Sequence, residues 1–370
     1  MKKTLLAAAF AACAFSAYAA DTITIALAGP TTGPVTQYGT MQNIGANMAI
    51  EQINAKGGMN GKQLVAKIYD DACEPKQAVT VANQIVNDGV QFVIGHLCSS
   101  STIPAAKIYN DEGIVMISGA STAPELTDKG YTTIFRTIGL DSQTTPISAE
   151  YVQNELKPKN IAILHDKQQY GQGLADGIKK ILEDAGVQVA IFEGVNKGQT
   201  DFSALITKMK KANIDFIYWG GYHPEAGLIL RQSAAQDFKP AFMGADGLDN
   251  PDLVAIAGEA AEGVLITAPI DFSKVAENAD LVKAFADKKE DASGPFVMPS
   301  YAAVQVIVDT ANKLGTDDPA KIAEALHSGD SYSTPIGDIA FDDKGDLKAF
   351  RFVVYSIGKD GGKTQVYPKN

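Results

Sequence analysis

The sequence predicts an α/β protein of two parallel-sheet lobes with a ligand cleft between them. Three observations predict it. Short β-rich runs alternate with amphipathic helical stretches, the pattern of parallel α/β sheets. The pattern restarts near residue 160 and runs through a second series of similar size. No low-complexity linker separates the two series, so the lobes are expected to be joined by short crossovers. A chain of 370 residues accommodates two or three folded units at roughly 100–200 residues each. Units of that size bury a core without staples.

The elements follow in order. Residues 22–28 read as a strand that enters a Gly/Pro loop at 29–34. The next helix carries Ile44, Met48, Ala49 and Ile53 on one face and stops at Gly57-Gly58, as helical period and glycine termination require. Residues 63–69 form a second strand and 75–88 a second helix, with Pro75 suited to its first turn. Strands at 91–95 and 114–117 enclose a helix that begins in Ser99-Ser100-Ser101-Thr102. The second series has strands at 160–165, 187–193, 215–219 and 241–243, with helices at 171–185, 202–212 and 225–236. Beyond it come a strand at 263–267, helices at 280–288, 301–314 and 318–327, and β-rich pieces at 336–341 and 350–355. Ligands of open α/β sheets bind beyond the carboxyl ends of the strands. The loops of interest are therefore 29–39, 97–101, 118–122, 166–171, 220–225 and 244–250.

The first residues do not belong to this fold. Lys2 and Lys3 precede an apolar, Ala-rich run, and Ala17-Tyr18-Ala19 offers small residues for cleavage. Residues 1–19 therefore read as a secretory signal peptide, cut at 19/20 or 20/21. No later apolar run reaches the ~18–20 residues that span a bilayer. Cys13 lies inside the apolar run rather than behind it, a poor site for lipid anchoring. Export leaves Cys73 and Cys98 in an oxidising compartment. A disulfide between them is expected, closing a loop of about 26 residues and contributing roughly 3.5 kcal/mol in the chain-entropy model.

With 32 basic and 43 acidic residues the net charge is −11, which disfavours nucleic acid and anionic membranes as partners. A hydrophobic content of 45% with 20% charged residues excludes a disordered tail or a coiled coil. Catalytic signals are absent. The four histidines show no zinc spacing, and no GxSxG nucleophile exists for His165-Asp166. Gly171-Gln172-Gly173 with Gly177 has GxGxxxG rather than GxGxxG spacing, so it reads as a coincidental likeness to a dinucleotide fingerprint. No cofactor or metal is called for, and the chain is not expected to be an enzyme.

Two hydroxyl-rich strand exits remain. Leu97-Cys98-Ser99-Ser100-Ser101 opens a helix whose free N–H groups and positive dipole end suit a carboxylate, although serine there also serves as a plain N-cap. Residues 118–124 offer hydroxyls and carbonyls, or simply a Gly/Ser/Pro turn. Tyr38, Tyr170, Tyr218, Trp219, Tyr222 and Phe296 lie at or near strand exits. Such rings pack the core or wall an apolar ligand group.

Several segments are more specific. Tyr69-Asp70-Asp71-Ala72-Cys73, Val93-Ile94-Gly95-His96-Leu97-Cys98-Ser99-Ser100-Ser101-Thr102 and His165-Asp166-Lys167-Gln168-Gln169-Tyr170-Gly171 resemble the periplasmic leucine/isoleucine/valine-binding proteins. So do Tyr218-Trp219-Gly220-Gly221-Tyr222-His223-Pro224-Glu225 and Ile256-Ala257-Gly258-Glu259, and the likeness covers nearly the whole exported chain. The resemblance implies a type I periplasmic binding protein: two Rossmann-like lobes joined by three crossovers. Residues 21–140 plus 270–349 would form one lobe, and 141–269 plus 350–370 the other. It also implies the Cys73–Cys98 disulfide. Ser99, Ala120 and Thr122 fall on the family's ligand-binding positions for the carboxylate and ammonium, and Tyr38, Leu97, Tyr170, Tyr222 and Phe296 on its aromatic and aliphatic contacts.

Asp246 stands where family members usually place a Glu against the ammonium, so the charge survives on an arm one methylene shorter. Tyr38 is like the broader leucine/isoleucine/valine type, where leucine-selective relatives carry Trp. The implied function is the soluble, periplasmic binding component of an ABC importer. It would act as a monomer, take L-leucine, L-isoleucine or L-valine by cleft closure, and deliver them to a membrane permease. An aliphatic side chain suits the apolar wall, since a charged one would be left unpaired there. The alternative is a same-fold binding protein for a phenolic acid, an amide or a polar amino acid.

Overall fold

The computed structural model describes residues 22–369. The expected signal peptide, its cleavage site and Cys13 lie outside the described residues.

Strands β1 (Thr22–Gly29), β2 (Gln63–Asp70), β3 (Phe92–Gly95), β4 (Val115–Ser118) and β5 (Ile134–Arg136) make a parallel sheet in the order β2-β1-β3-β4-β5. Helices α1 (Thr36–Ala55), α2 (Pro75–Asn87) and α3 (Ser99–Asp111) connect the first four strands. All of β3 is buried, as expected of a strand covered on both faces. Period-2 alternation then divides its neighbours between two cores. Ile25, Leu27 and Ile117 face one core and Ala26, Ala28 and Met116 the other.

The second sheet opens after α4 (Asp141–Tyr151), which continues into a π-helical turn at Val152–Leu156. It contains β6 (Ile161–His165), β7 (Val189–Gly194), β8 (Phe216–Gly220), β9 (Ala241–Ala245) and β10 (Leu265–Pro269), linked in turn by α5 (Gln169–Asp184), α6 (Ser203–Lys211), α7 (His223–Ala235) and α8 (Pro251–Ala257). The chain then returns to the first lobe for α9 (Ala279–Asp287), α10 (Val297–Leu314), α11 (Pro319–Leu326) and a small hairpin of β11 (Tyr332–Thr334) and β12 (Gly337–Ile339). It ends in the second sheet with β13 (Phe352–Ile357) and β14 (Lys363–Tyr367), giving the order β14-β13-β10-β9-β8-β6-β7. These last two strands run antiparallel.

Three crossovers thus join the lobes, and they lie side by side. Gly139 in the first packs so closely on the third that a Cβ there would sit 2.4 Å from Phe352. Ile270 N–H in the second donates to Arg351 O in the third at 3.4 Å.

Five elements are absent from the sequence reading, each with too weak a periodic signal. β5 and β11 have three residues each and α8 seven. α4 is rich in Ser and Thr, with Pro146 inside it. β14 is a polar edge strand. α10 begins at Val297, four residues ahead of the predicted 301, because Pro299 fits a first helical turn.

Candidate functional site

Each sheet grows in both directions from its starting strand, so each has a switch point where ligands bind. In the first sheet it lies between β1 and β3, in the second between β6 and β8. The loops and helix starts that follow those four strands carry Tyr38, Leu97, Ser99, Tyr170 and Tyr222. The structure gathers Tyr38, Leu97, Ala120, Tyr170, Tyr222 and Phe296 into one buried cluster that draws on both lobes. Tyr38 meets Phe296 edge-on at 5.5 Å and Tyr222 at 5.8 Å, and Tyr170 stacks on Tyr222 at 5.1 Å.

The hydroxyl-bearing loops are laced to each other. Ser118 Oγ donates to His96 O at 2.7 Å and accepts from Ser121 N–H at 3.0 Å. Ser121 Oγ donates to Leu97 O at 2.9 Å. Arg136, fully buried at the end of β5, donates to Ser121 O and Ala123 O at 2.8 and 3.1 Å and so brackets Thr122. Asp346 faces the guanidinium at 2.5 Å. Thr122 is itself buried, and its Oγ1 faces the Asp141 carboxylate without a hydrogen bond of good geometry.

Ser99 is not an N-cap. Cys98 holds that position with no side-chain cap bond, its sulfur being committed to the Cys73–Cys98 disulfide across a Cα separation of 5.6 Å. Ser99 is the first helical residue of α3, where its Oγ accepts from Ala123 N–H at 3.4 Å. Ser100 and Ser101 Oγ are buried without partners. The plain capping role is thereby removed, and the hydroxyls and dipole of this helix start stand beside the Thr122 loop.

Two carboxylates complete the polar set. Asp246 opens a 3₁₀ turn after β9, accepts from Tyr170 OH through Oδ1 at 2.6 Å, and leaves Oδ2 buried and unpartnered. Burial raises its pKa to about 6 against the favourable Tyr170 bond. Asp141, at the start of α4, donates its backbone N–H to Thr122 O at 2.9 Å and stands beside the Thr122 hydroxyl. Both its carboxylate oxygens are buried without a hydrogen bond of good geometry. Burial, reinforced by the Asp246 charge, holds it well above the usual carboxylate range.

Tyr38 closes the set across the cleft. Its hydroxyl donates to Gly247 O at 2.7 Å and meets His223 Nδ1 at 2.7 Å. A hydroxyl has one proton and a carbonyl only accepts, so His223 carries its proton on Nδ1. Burial drops the His223 pKa to about 4, which keeps that ring neutral at pH 7.

Sequence reasoning missed Asp141, Arg136 and His223. Asp141 sits in no motif, whereas Arg136 in Ile134-Phe135-Arg136 is a charge ending an apolar run and carried a usable signal. Gly171 lies in the first turn of α5, where a Cβ would fall 2.3 Å from Asp166 Oδ1 and 2.4 Å from Gly220 O. Its glycine serves helix-to-strand packing. Among the described residues no group of three or more His, Cys, Asp or Glu is arranged to hold a metal ion, and no helix is long and apolar enough to cross a membrane.

Two wound α/β lobes on three strands of crossover, whose switch points converge on buried rings, hydroxyls and carboxylates, have the build of a bilobal solute-binding protein. Residues 22–362 match the family model described as periplasmic binding protein, and the chain belongs to that family. It is 56% identical over 363 residues to the leucine-, isoleucine-, valine-, threonine- and alanine-binding protein of Pseudomonas aeruginosa, covering 98% of this chain and 97% of that one. It is 49% identical over 362 residues to the Leu/Ile/Val-binding protein of Escherichia coli K12, covering 98% of each. The branched-chain amino acid transporter substrate-binding protein LivJ of Streptococcus pneumoniae, solved in complex with isoleucine, superposes with a TM-score of 0.84. Its identity is 26%, over 94% of this chain and 100% of that one.

Proposed function

We propose that this chain is the periplasmic substrate-binding component of an ABC importer, taking L-leucine, L-isoleucine and L-valine by cleft closure and handing them to a membrane permease. One observation carries it: Asp246 Oδ2, and Thr122 Oγ1 facing the Asp141 carboxylate, are buried with no hydrogen bond of good geometry, beside a cluster of rings drawn from both lobes. Unmet buried polar groups cost about 1–3 kcal/mol each, and an amino acid zwitterion answers them. Its carboxylate fits the α3 start and the Ser99 and Thr122 hydroxyls. Its ammonium fits Asp246, with Asp141 close behind. The apolar remainder falls among Tyr38, Leu97, Tyr170, Tyr222 and Phe296.

The lobes divide at 140/141, 269/270 and 349/350, so closure is a rotation about the three adjacent crossovers. The shorter arm of Asp246 is compensated by Tyr170, whose bond aims it. The chain acts as a monomer and performs no chemistry on its cargo. The names of the relatives support the branched-chain ligand, and the Pseudomonas relative's name adds threonine and alanine to the set worth testing.

The test is calorimetric titration of the exported chain, unfolded and refolded to strip carried ligand, against the twenty L-amino acids. One-to-one binding of leucine, isoleucine and valine is expected, with threonine and alanine weaker. Folded protein that binds none of the three would overturn the assignment and redirect the search to phenolic acids and amides.

A further inference from the structure

Outside the ligand site, one side chain bridges the lobes with a full charge. Lys197 lies in the loop that follows β7, on the second lobe. Its Nζ donates to Cys73 O at 3.0 Å and pairs with Glu74 Oε1 at 2.6 Å, both on the first lobe. We propose that Lys197 is a closure latch, a positioning residue that holds the lobes together over the ligand and sets how long the ligand stays.

Both sides of the contact are built in advance. On the first lobe the Cys73 carbonyl is fixed from three directions. The disulfide ties its side chain to Cys98. Asp71 Oδ1 accepts the Cys73 N–H at 2.7 Å. Ala72 and Cys73 both take left-handed backbone, φ 50° and 57°, a conformation that non-glycine residues adopt only where the surroundings hold them. On the second lobe Asn196 Oδ1 accepts from Lys167 Nζ at 2.9 Å, and Glu225 Oε1 accepts from Gly198 N–H at 2.7 Å. The two residues flanking Lys197 are thereby anchored to their own lobe.

The lysine stem therefore spans two rigid surfaces, and its head meets partners that separate when the cleft opens. Lys197 is also better shielded than an ordinary surface pair, at 23% side-chain exposure, so its bond to the carbonyl is less screened than a rim salt bridge. The contact exists only in the closed form and so stabilises that form alone. A ligand enclosed by it leaves more slowly, while its entry into the open form is untouched.

This inference rests on the proposed amino acid ligand, and the experiment keeps the two apart. Rates of leucine association and release are measured for wild type, Lys197→Met, Lys197→Arg and Glu74→Gln, with small-angle scattering of each protein with and without leucine. Lys197→Met is expected to speed release about tenfold with association within twofold. Glu74→Gln should give a smaller increase, since the carbonyl bond survives, and Lys197→Arg should restore most of the slow release. Raising salt should speed release from wild type and not from Lys197→Met, which a merely structural lysine would not produce. Unchanged release in both Lys197→Met and Glu74→Gln, in protein that binds leucine normally, would overturn the latch. Should wild type fail to bind leucine, the ligand assignment falls, and release is measured for whichever amino acid, phenolic acid or amide the titration shows to bind. Faster release from Lys197→Met then supports the latch, and equal release overturns it.

Discussion

Thr122 owes its importance to what surrounds it. Arg136 holds the carbonyls on either side, so the hydroxyl is presented at a fixed place beside the Asp141 carboxylate. Thr122→Ala should weaken leucine binding by about 1–3 kcal/mol, the cost of leaving polar ligand atoms unmet, and calorimetry will read it. Asp246 makes the same site sensitive to pH. Its carboxyl titrates near 3.8 ordinarily and at about 6 when folded. A raised folded value means that the stability associated with its protonated form is present at low pH and is lost as pH climbs through about 6. Binding an ammonium needs the ionised form, so affinity for leucine should fall as pH drops below that value. Asp141 acts in the same direction. Titrations from pH 5 to 8 should show the decline, and Asp246→Asn should both weaken binding and shrink its pH dependence. An affinity constant across that range would remove Asp246 from the ammonium contact.

Among the elements, α5 shows how a motif in the sequence differs from its physical cause. The Gly171-x-Gly173 run resembles a phosphate-binding turn on paper, but α5 begins at Gln169 and Gly171 lets the helix pack against Gly220 and Asp166. Gly171→Ala should destabilise the protein by about 1–3 kcal/mol through overpacking. It should also weaken ligand binding, because Tyr170 next to it holds Asp246. Thermal unfolding and calorimetry measure the two effects. The strongly periodic elements were legible: buried strands such as β3 and β6, and helices with one apolar face such as α2 and α5. α4 was not, because Ser and Thr outnumber apolar side chains along it. That gap concealed Asp141, which only the placement of α4 beside the Thr122 loop brings to the site.

On the scale of the whole molecule, the crossovers lie side by side, and the Cys73–Cys98 bond ties the segment after β2 to the start of α3. Reduction should lower the stability of the chain by roughly 3.5 kcal/mol in the chain-entropy model, measured as a shift in the urea midpoint between oxidised and reduced protein. It should also weaken leucine binding, because Ser99 follows Cys98 directly. Full stability and affinity after reduction would deny the bond both roles.

The sequence by itself determined the α/β class, the pairing of the two exported cysteines, and which loops carry the rings and hydroxyls. These depend on local periodicity, on residue chemistry and on position after a strand, all of which survive in a linear string. Only the tertiary structure decided that Ser99 is freed from capping, that Asp141 joins Asp246, that Arg136 fixes Thr122, and that Lys197 reaches Cys73 and Glu74. Each of these is a meeting of side chains from separate elements, set by how α4 packs, where the crossovers turn and how the two sheets face each other. Burial is what turns such a meeting into chemistry: a carboxylate or hydroxyl acquires a shifted pKa or an unmet bond only when the fold removes it from water.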